Sequence, residues 1–322
     1  MLSNFFKKYT GVFRRIKSLY WIANILHKKK LTHIKKAYKH YGINKPYYAT
    51  VNSQTFEGLP NSLPWLDGEI SEKLLNDKLE KSSFSNEIKS AIKGWNQNGY
   101  IHLKNFFSND QIDSVNSEIN NLITTNIVDF NYSGRKIMFA YQYSETLKKF
   151  AEDKKLKKVL SFILDKPVKL FSSINFLKGS EQKAHSDYIH MATYPDGNMI
   201  AAWVALEDVN LQNGTIFYYP GSHREPYVKN LDYLPNQGTL LIPKDANKRY
   251  ENYIEEKVKK NNWEKKDFLA KKGDVLIWHA NLIHGGNPIL NDTSSRKSMV
   301  IHYFAEDVIC YHETSQRPAY ID

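Results

Sequence analysis

The chain is almost devoid of cysteine: Cys310 is the single thiol among 322 residues. That excludes an intramolecular disulfide and a cysteine-rich zinc site, and it fits a reducing compartment. Long apolar runs are missing as well. No stretch approaches the roughly 20 consecutive apolar residues that a membrane-spanning helix needs. The N-terminus lacks a compact apolar segment followed by a small-residue cleavage site, so no secretory signal is expected and the protein is expected to be cytoplasmic. Acidic residues are absent before Glu57, whereas twelve Lys or Arg precede it. The other 33 basic and 34 acidic residues nearly cancel at −1, so the formal excess of +11 belongs to this segment.

What is present is ample for one large core, with 41% hydrophobic and 13% aromatic residues. Residues 1–45 read as a basic amphipathic helical arm. Leu2, Phe5, Phe6, Tyr9, Val12, Phe13, Ile16, Leu19, Tyr20, Ala23 and Leu26 recur at steps of three and four, with Lys7, Lys8, Arg14, Arg15 and Lys17 between them. Such a helix can lie in an anionic membrane interface through residues 1–40, which makes the protein peripheral; the other reading packs the stripe on the body. On the membrane reading, removing residues 1–40 is expected to leave the core folded. No nucleic-acid partner is expected, because so wide an apolar stripe is not needed to contact phosphates.

Residues 46–85 read as a linker that wraps the body, with Pro46, Pro60, Pro64, Gly58 and Gly68 as its punctuation. One helix is expected from Ile70 to about Lys93, a strand at Tyr100–Leu103, a helix opened by the capping box Ser108–Gln111, and another from Ser144 to Leu164. From Val168 the pattern becomes β, with candidates at Val168–Leu177, Met199–Leu206, Thr215–Tyr219, Val275–Trp278 and Lys297–Phe304. Asn213-Gly214 signals a type I′ hairpin. The expected fold is mainly β with flanking helices, a double-stranded β-helix or cupin-like jelly roll over residues 86–322. An insertion at 224–272, ending in a charged helix from Tyr250 to Asn262, is expected to be a lid outside the sheet.

The chemistry concentrates in His185-Ser186-Asp187, His284 and Arg296. In extended chain, positions 185 and 187 project from one face. An imidazole, a carboxylate and a second distant imidazole make a 2-His-1-carboxylate facial triad, which suits non-haem Fe(II). Arg296 can fork onto a carboxylate of an organic cosubstrate.

The words around these residues carry a resemblance. Asn98–Phe106, Ala202–Asp208, Asn213-Gly214, Pro220–His223 and Lys272–His279 follow one another in the order found in the phytanoyl-CoA dioxygenase family. The resemblance spans about residues 90 to 305. It implies a dioxygenase that uses Fe(II), 2-oxoglutarate and O2, hydroxylates an aliphatic C–H bond and releases succinate and CO2. It implies His185, Asp187 and His284 as metal ligands and Arg296 as partner of the far 2-oxoglutarate carboxylate. Trp203 matches a tryptophan near the cosubstrate, and Lys136-Ile137-Met138 resembles an element that reaches 2-oxoglutarate in some members. The substrate class is left open among small molecules, lipids and lipid-linked glycans.

Other histidines compete for attention. His279 lies an odd number of residues before His284, which on a continuous strand turns it to the opposite face, so it is read as structural. His190 and His223 read as rim or turn residues that could also meet substrate, and His302, which shares a strand face with Arg296, reads as packing or as a residue behind the ligands. A non-catalytic jelly-roll binding protein, or a cupin-type metal-dependent isomerase or hydrolase, would have no use for Arg296.

Overall fold

The computed structural model describes residues 15–131, 134–234 and 241–321. Helices α1 (Lys17–Leu26) and α2 (Lys35–His40) flank a 3-10 segment, and α3 (Glu72–Glu80), α4 (Asn86–Lys93) and α5 (Trp95–Asn98) lead to strand β1 (Tyr100–Leu103). Then come α6 (Asn109–Thr124), β2 (Ile137–Met138), α7 (Glu145–Ala151), α8 (Lys154–Leu164), β3 (Val168–Phe176), β4 (Ala192–Tyr194), β5 (Met199–Ala205) and β6 (Ile216–Tyr218). The chain ends with α9 (Asn230–Tyr233), α10 (Ala246–Asn261), β7 (Lys266–Phe268), β8 (Val275–His279), β9 (His284–Gly286), β10 (Ser298–Ala305), β11 (Ile309–His312) and β12 (Arg317–Pro318).

An antiparallel sheet in the order β1-β8-β5-β10-β3-β2 faces a smaller one, β7-β6-β9, and a third, β12-β11-β4, lies beside them. This is a jelly roll with helices outside. Period-two alternation assigns the two faces of the large sheet. Ile200, Ala202 and Val204 of β5, Val275 and Ile277 of β8, and Met299, Ile301 and Tyr303 of β10 pack with the buried faces of α3, α4, α6 and α8. Their neighbours Ala201, Trp203, Leu276, Trp278 and Val300 pack against Ile216, Tyr218 and Phe268 of the small sheet. The inner cluster is where the site sits.

Several expected elements differ. The helix expected over 144–164 is two, because Asp153 accepts the Leu156 N–H at 2.8 Å and so caps a new helix start. The one expected over 70–93 is likewise split, at the Ser85 cap. Asn213-Gly214 is not a two-residue hairpin: β5 and β6 lie in different sheets, and Asn213 Oδ1 closes a turn onto the Asn210 N–H. The insertion is partly sheet, since β7 pairs with β6 with Ile216 opposite Phe268. Its helix α10 begins at Ala246, ahead of the expected Tyr250.

The largest difference is the N-terminal segment, whose first fourteen residues lie outside the described ones. Ile34, Ala37 and Tyr38 are buried with Val51, Phe56, Tyr188, Tyr194 and Tyr311, and Leu31 is fully buried as well. Each large side chain among them contributes about 1.5–3 kcal/mol, so residues 31–38 are part of the core and not a detachable arm. The outcome expected on deleting residues 1–40 is corrected accordingly. Residues 46–70 do run over the body, with Phe56 stacked 4.4 Å from Tyr194. Leu75 and Leu79 share a core with Ile88, Ile92 and Trp95, so no boundary falls at residue 85. No helix among the described residues is long and apolar enough to cross a membrane.

Candidate metal centre

His185 and His284 face each other through one antiparallel bridge: each backbone N–H donates to the other's carbonyl at 2.9 Å. His185 therefore lies on a strand only one residue pair long, and Asp187 already begins a 3-10 turn. The extended backbone of Ser186 (φ −108, ψ 148) still sends residues 185 and 187 to the same side. Ligand atoms of His185, Asp187 and His284 lie within 4.8 Å of one another, all buried. Asp187 Oδ1 is 3.9 Å from His185 Nε2 and 3.8 Å from His284 Nε2.

Outer hydrogen bonds to the Nδ1 atoms turn the Nε2 atoms inward. His185 Nδ1 lies 2.8 Å from the Lys183 carbonyl and His284 Nδ1 lies 2.9 Å from that of Leu282. A ring proton on each Nδ1 leaves the Nε2 lone pair facing inward. The His185 lone pair also accepts from Gln182 Nε2 at 3.0 Å. The Trp278 indole donates to Asp187 Oδ2 at 2.7 Å, which aims Oδ1 at the imidazoles. His302 Nε2 stands 3.7 Å from the same Oδ2. Burial opposes ionisation of Asp187, but His284, His302 and His185 outweigh it and hold the carboxyl below its ordinary range. Burial, reinforced by His284, pushes the His185 imidazole down to about 3, which keeps it neutral as a metal ligand must be.

β9 needs its glycines. A Cβ on Gly285 would come within 2.4 Å of the Phe217 ring and 2.7 Å of the Gln182 carbonyl, so the strand after His284 admits no side chain there.

A cavity of about 670 Å3 joins this centre to Arg296. The guanidinium is buried between two rings, 5.5 Å from Phe176 and 5.7 Å from Trp203, and Nη1 donates to Ser298 Oγ at 2.8 Å. Its Nε and the Trp203 indole nitrogen have no protein partner. Burial lowers the guanidinium to about 10, leaving it charged at neutral pH. A buried cation with donors aimed into a cavity fits an organic dicarboxylate whose other end reaches the metal. Lys136 lines the same cavity, and Nζ donates to Gln182 Oε1 at 2.9 Å.

All six expected site residues thus line one cavity. Sequence reasoning missed Trp278 and Phe176; for His302 it preferred packing over a place behind the ligands, and His302 faces Asp187. The signal was available: Trp278 and His302 occupy the same strand parity as the other inward residues. His279 is buried at the other side, with Nε2 3.0 Å from Asp67 Oδ2 and Nδ1 accepting the Asn281 N–H at 3.0 Å. The structural reading of His279 stands, but its reason was different: β8 ends at His279, so strand parity does not run on to His284.

Comparisons with known proteins agree with this geometry. The phytanoyl-CoA dioxygenase (PhyH) family model matches residues 95–298. The peroxisomal phytanoyl-CoA dioxygenase of Mus musculus is 23% identical over 296 residues, covering 83% of this chain and 81% of that protein. Among solved structures, EctD from S. alaskensis superposes with a TM-score of 0.55 at 21% identity, over 76% of this chain and 83% of that one. SnoK, a non-haem α-ketoglutarate-dependent carbocyclase from nogalamycin biosynthesis, gives 0.55 at 17% identity, over 72% of this chain and 87% of its own. The chain belongs to the phytanoyl-CoA dioxygenase family and, with it, to the Fe(II)- and 2-oxoglutarate-dependent dioxygenases.

Proposed function

We propose that the chain hydroxylates an aliphatic C–H bond of a small-molecule, lipid or glycan-linked substrate, releasing succinate and CO2. Arg296 carries the reading, because its fully buried guanidinium makes no salt bridge among the described residues, Glu207 acting on it only from a distance, and so has room for an anionic partner. In this reading His185, Asp187 and His284 hold Fe(II). Arg296 anchors the far carboxylate of 2-oxoglutarate while Trp203 and Phe176 keep water from it. Lys136 adds a second cation in the same cavity. Bound there, the metal supplies O2 activation coupled to 2-oxoglutarate decarboxylation. Trp278 holds the orientation of Asp187. The rest of the wall includes Met138, Phe139, Phe171 and Met191, apolar side chains suited to an aliphatic chain.

The test is succinate release with Fe(II) and 2-oxoglutarate against lipid extracts, acyl-CoAs and nucleotide sugars. Arg296→Lys replaces a fork by a point charge. Losing a charged hydrogen bond costs roughly 1.5–3 kcal/mol, so the Michaelis constant for 2-oxoglutarate should rise about ten- to over a hundredfold. An unchanged constant removes Arg296 from this role. A product with one added oxygen supports hydroxylation; one lacking two hydrogens replaces it with desaturation or ring closure.

A peripheral membrane location is the second part of the reading, supported by the outward face of α1. Leu19, Ile22 and Leu26 form an exposed stripe with Trp21 at its flank, and exposed Lys28, Lys29 and Lys30 follow. Apolar side chains can enter the interface while each nearby lysine adds about 1 kcal/mol on an anionic surface. Replacing Leu19, Trp21, Ile22 and Leu26 together by serine should abolish co-sedimentation with phosphatidylserine vesicles. Equal pelleting of both forms refutes it.

A further inference from the structure

The insertion helix α10 reaches the metal-ligand tripeptide from behind. Tyr250 Oη accepts the backbone N–H of Ser186 at 2.9 Å and lies 3.2 Å from its hydroxyl. Ser186 is the residue between His185 and Asp187, so one phenol is hydrogen-bonded to the link between two ligands. Tyr250 is buried, and Tyr233 braces it edge-on with ring centroids 5.3 Å apart. The apolar cluster around this helix includes Ala184, Ile189 and Ile283. Ala184 precedes His185, Ile189 is two residues beyond Asp187, and Ile283 precedes His284. All three ligands are therefore backed by one cluster, to which the insertion contributes Tyr250 and Ile254.

We propose that Tyr250 is a positioning residue for the metal centre: it holds the His185–Asp187 backbone in the conformation that converges both side chains on one ion. The physical argument is directional. Packing from Ile189 and Ile283 limits how far the loop can move, and the His284 N–H holds the carbonyl end of the His185–Ser186 peptide, but neither satisfies the N–H at its other end. The phenol does, and because a buried N–H without its acceptor is costly, the loop is held where that bond is made. The insertion is then a backing plate for the ligands, with Asn247 its one residue on the cavity wall among those described.

The inference rests on His185, Asp187 and His284 being the metal ligands, and the experiment separates the two. Co(II) alone is titrated anaerobically into the full chain, followed by its visible absorption, with thermal unfolding recorded in parallel. Removing an outer partner of a metal site typically weakens binding 10- to 100-fold, so Tyr250→Phe should raise the Co(II) dissociation constant about tenfold while the protein stays folded. Ile254→Ala, which hollows the same helix, should lower the unfolding temperature yet leave the dissociation constant within about twofold. His284→Ala should abolish binding. Unchanged affinity in Tyr250→Phe, or an equal loss in Ile254→Ala, overturns the positioning role; wild-type binding by His284→Ala overturns the ligand reading on which it rests. If Tyr250→Phe fails to fold, Tyr233→Leu removes the brace without touching Ser186. It should weaken Co(II) in the same direction, and unchanged affinity there overturns the role as well.

Discussion

His279 and His284 are two buried imidazoles five residues apart, and they belong to different regions with different work. His284 opens β9 and turns its Nε2 toward Asp187 and the inner cavity. His279 closes β8 and turns outward to Asp67, in a pair whose side chains are 2% and 8% exposed. Both are hydrogen-bonded histidines beside a carboxylate, so residue type and burial do not tell them apart. The partners of the other ring nitrogen and the room around the carboxylate do. Asp187 has an oxygen left facing two imidazoles above a cavity. Asp67 is enclosed with Trp95, whose indole donates to it at 3.3 Å.

The comparison breaks most sharply under alanine. His284→Ala should eliminate Fe(II)-dependent 2-oxoglutarate turnover and Co(II) binding while the apo-protein remains folded. His279→Ala should retain metal binding but lose roughly 3–5 kcal/mol of stability, the usual result of stranding one half of a buried pair. Chemical denaturation beside metal titration reads both, and equal loss of metal binding in the two variants would mean that the ligands have been misassigned. Trp278, one residue before His279 and inward-facing, sharpens the contrast. Trp278→Phe removes the donor to Asp187 Oδ2 and should weaken Co(II) about tenfold. Affinity equal to wild type would show that Asp187 needs no such support.

Acid gives the broadest effect, spread over several pH units. Burial depresses His185 on the inner side and His223, whose ring lies 5.3 Å from that of His279, each to about 3. Below the unfolded value near 6.5 the unfolded chain binds protons that these folded imidazoles refuse. Stability of the apo-protein should therefore fall as pH drops from about 6.5 toward 3, by up to about 1.4 kcal/mol per pH unit for each group. His223→Asn should flatten the slope. A steeper slope in that variant would reverse the assignment.

How much was legible follows the same division between local pattern and long-range partner. The ligands were readable because Ser186 needs only extended backbone to align residues 185 and 187. Arg296 was readable because a family motif fixes its distance from His284. Trp278 and His302 were written in strand parity, yet parity says only that they face inward, not that Asp187 lies opposite. Tyr250 was out of reach, since nothing in a charged helix names a backbone N–H 64 residues away as its partner. The extent of the N-terminal arm was misjudged for a different reason. Leu19, Ile22 and Leu26 share a face, as the period requires, but amphipathicity does not say which neighbour covers a face. Residues 31–38, with weaker periodicity, turned out to be the buried part.

The start of the described chain is stitched to the insertion. Arg15 and Ile242, 227 residues apart, exchange two bonds of 2.7 Å, and Ile16 bridges Leu241. β1 likewise waits for β8, with Tyr100 opposite Trp278. A chain synthesised from its N-terminus therefore leaves the start of α1 without its pairing until about three-quarters of the length has been made, and β1 for longer still. Such non-local closures are slow, because loop entropy is lost before the contacts form. The metal pocket is thus among the last parts of the molecule to be born, and an exposed greasy helix must be kept out of trouble while it is awaited.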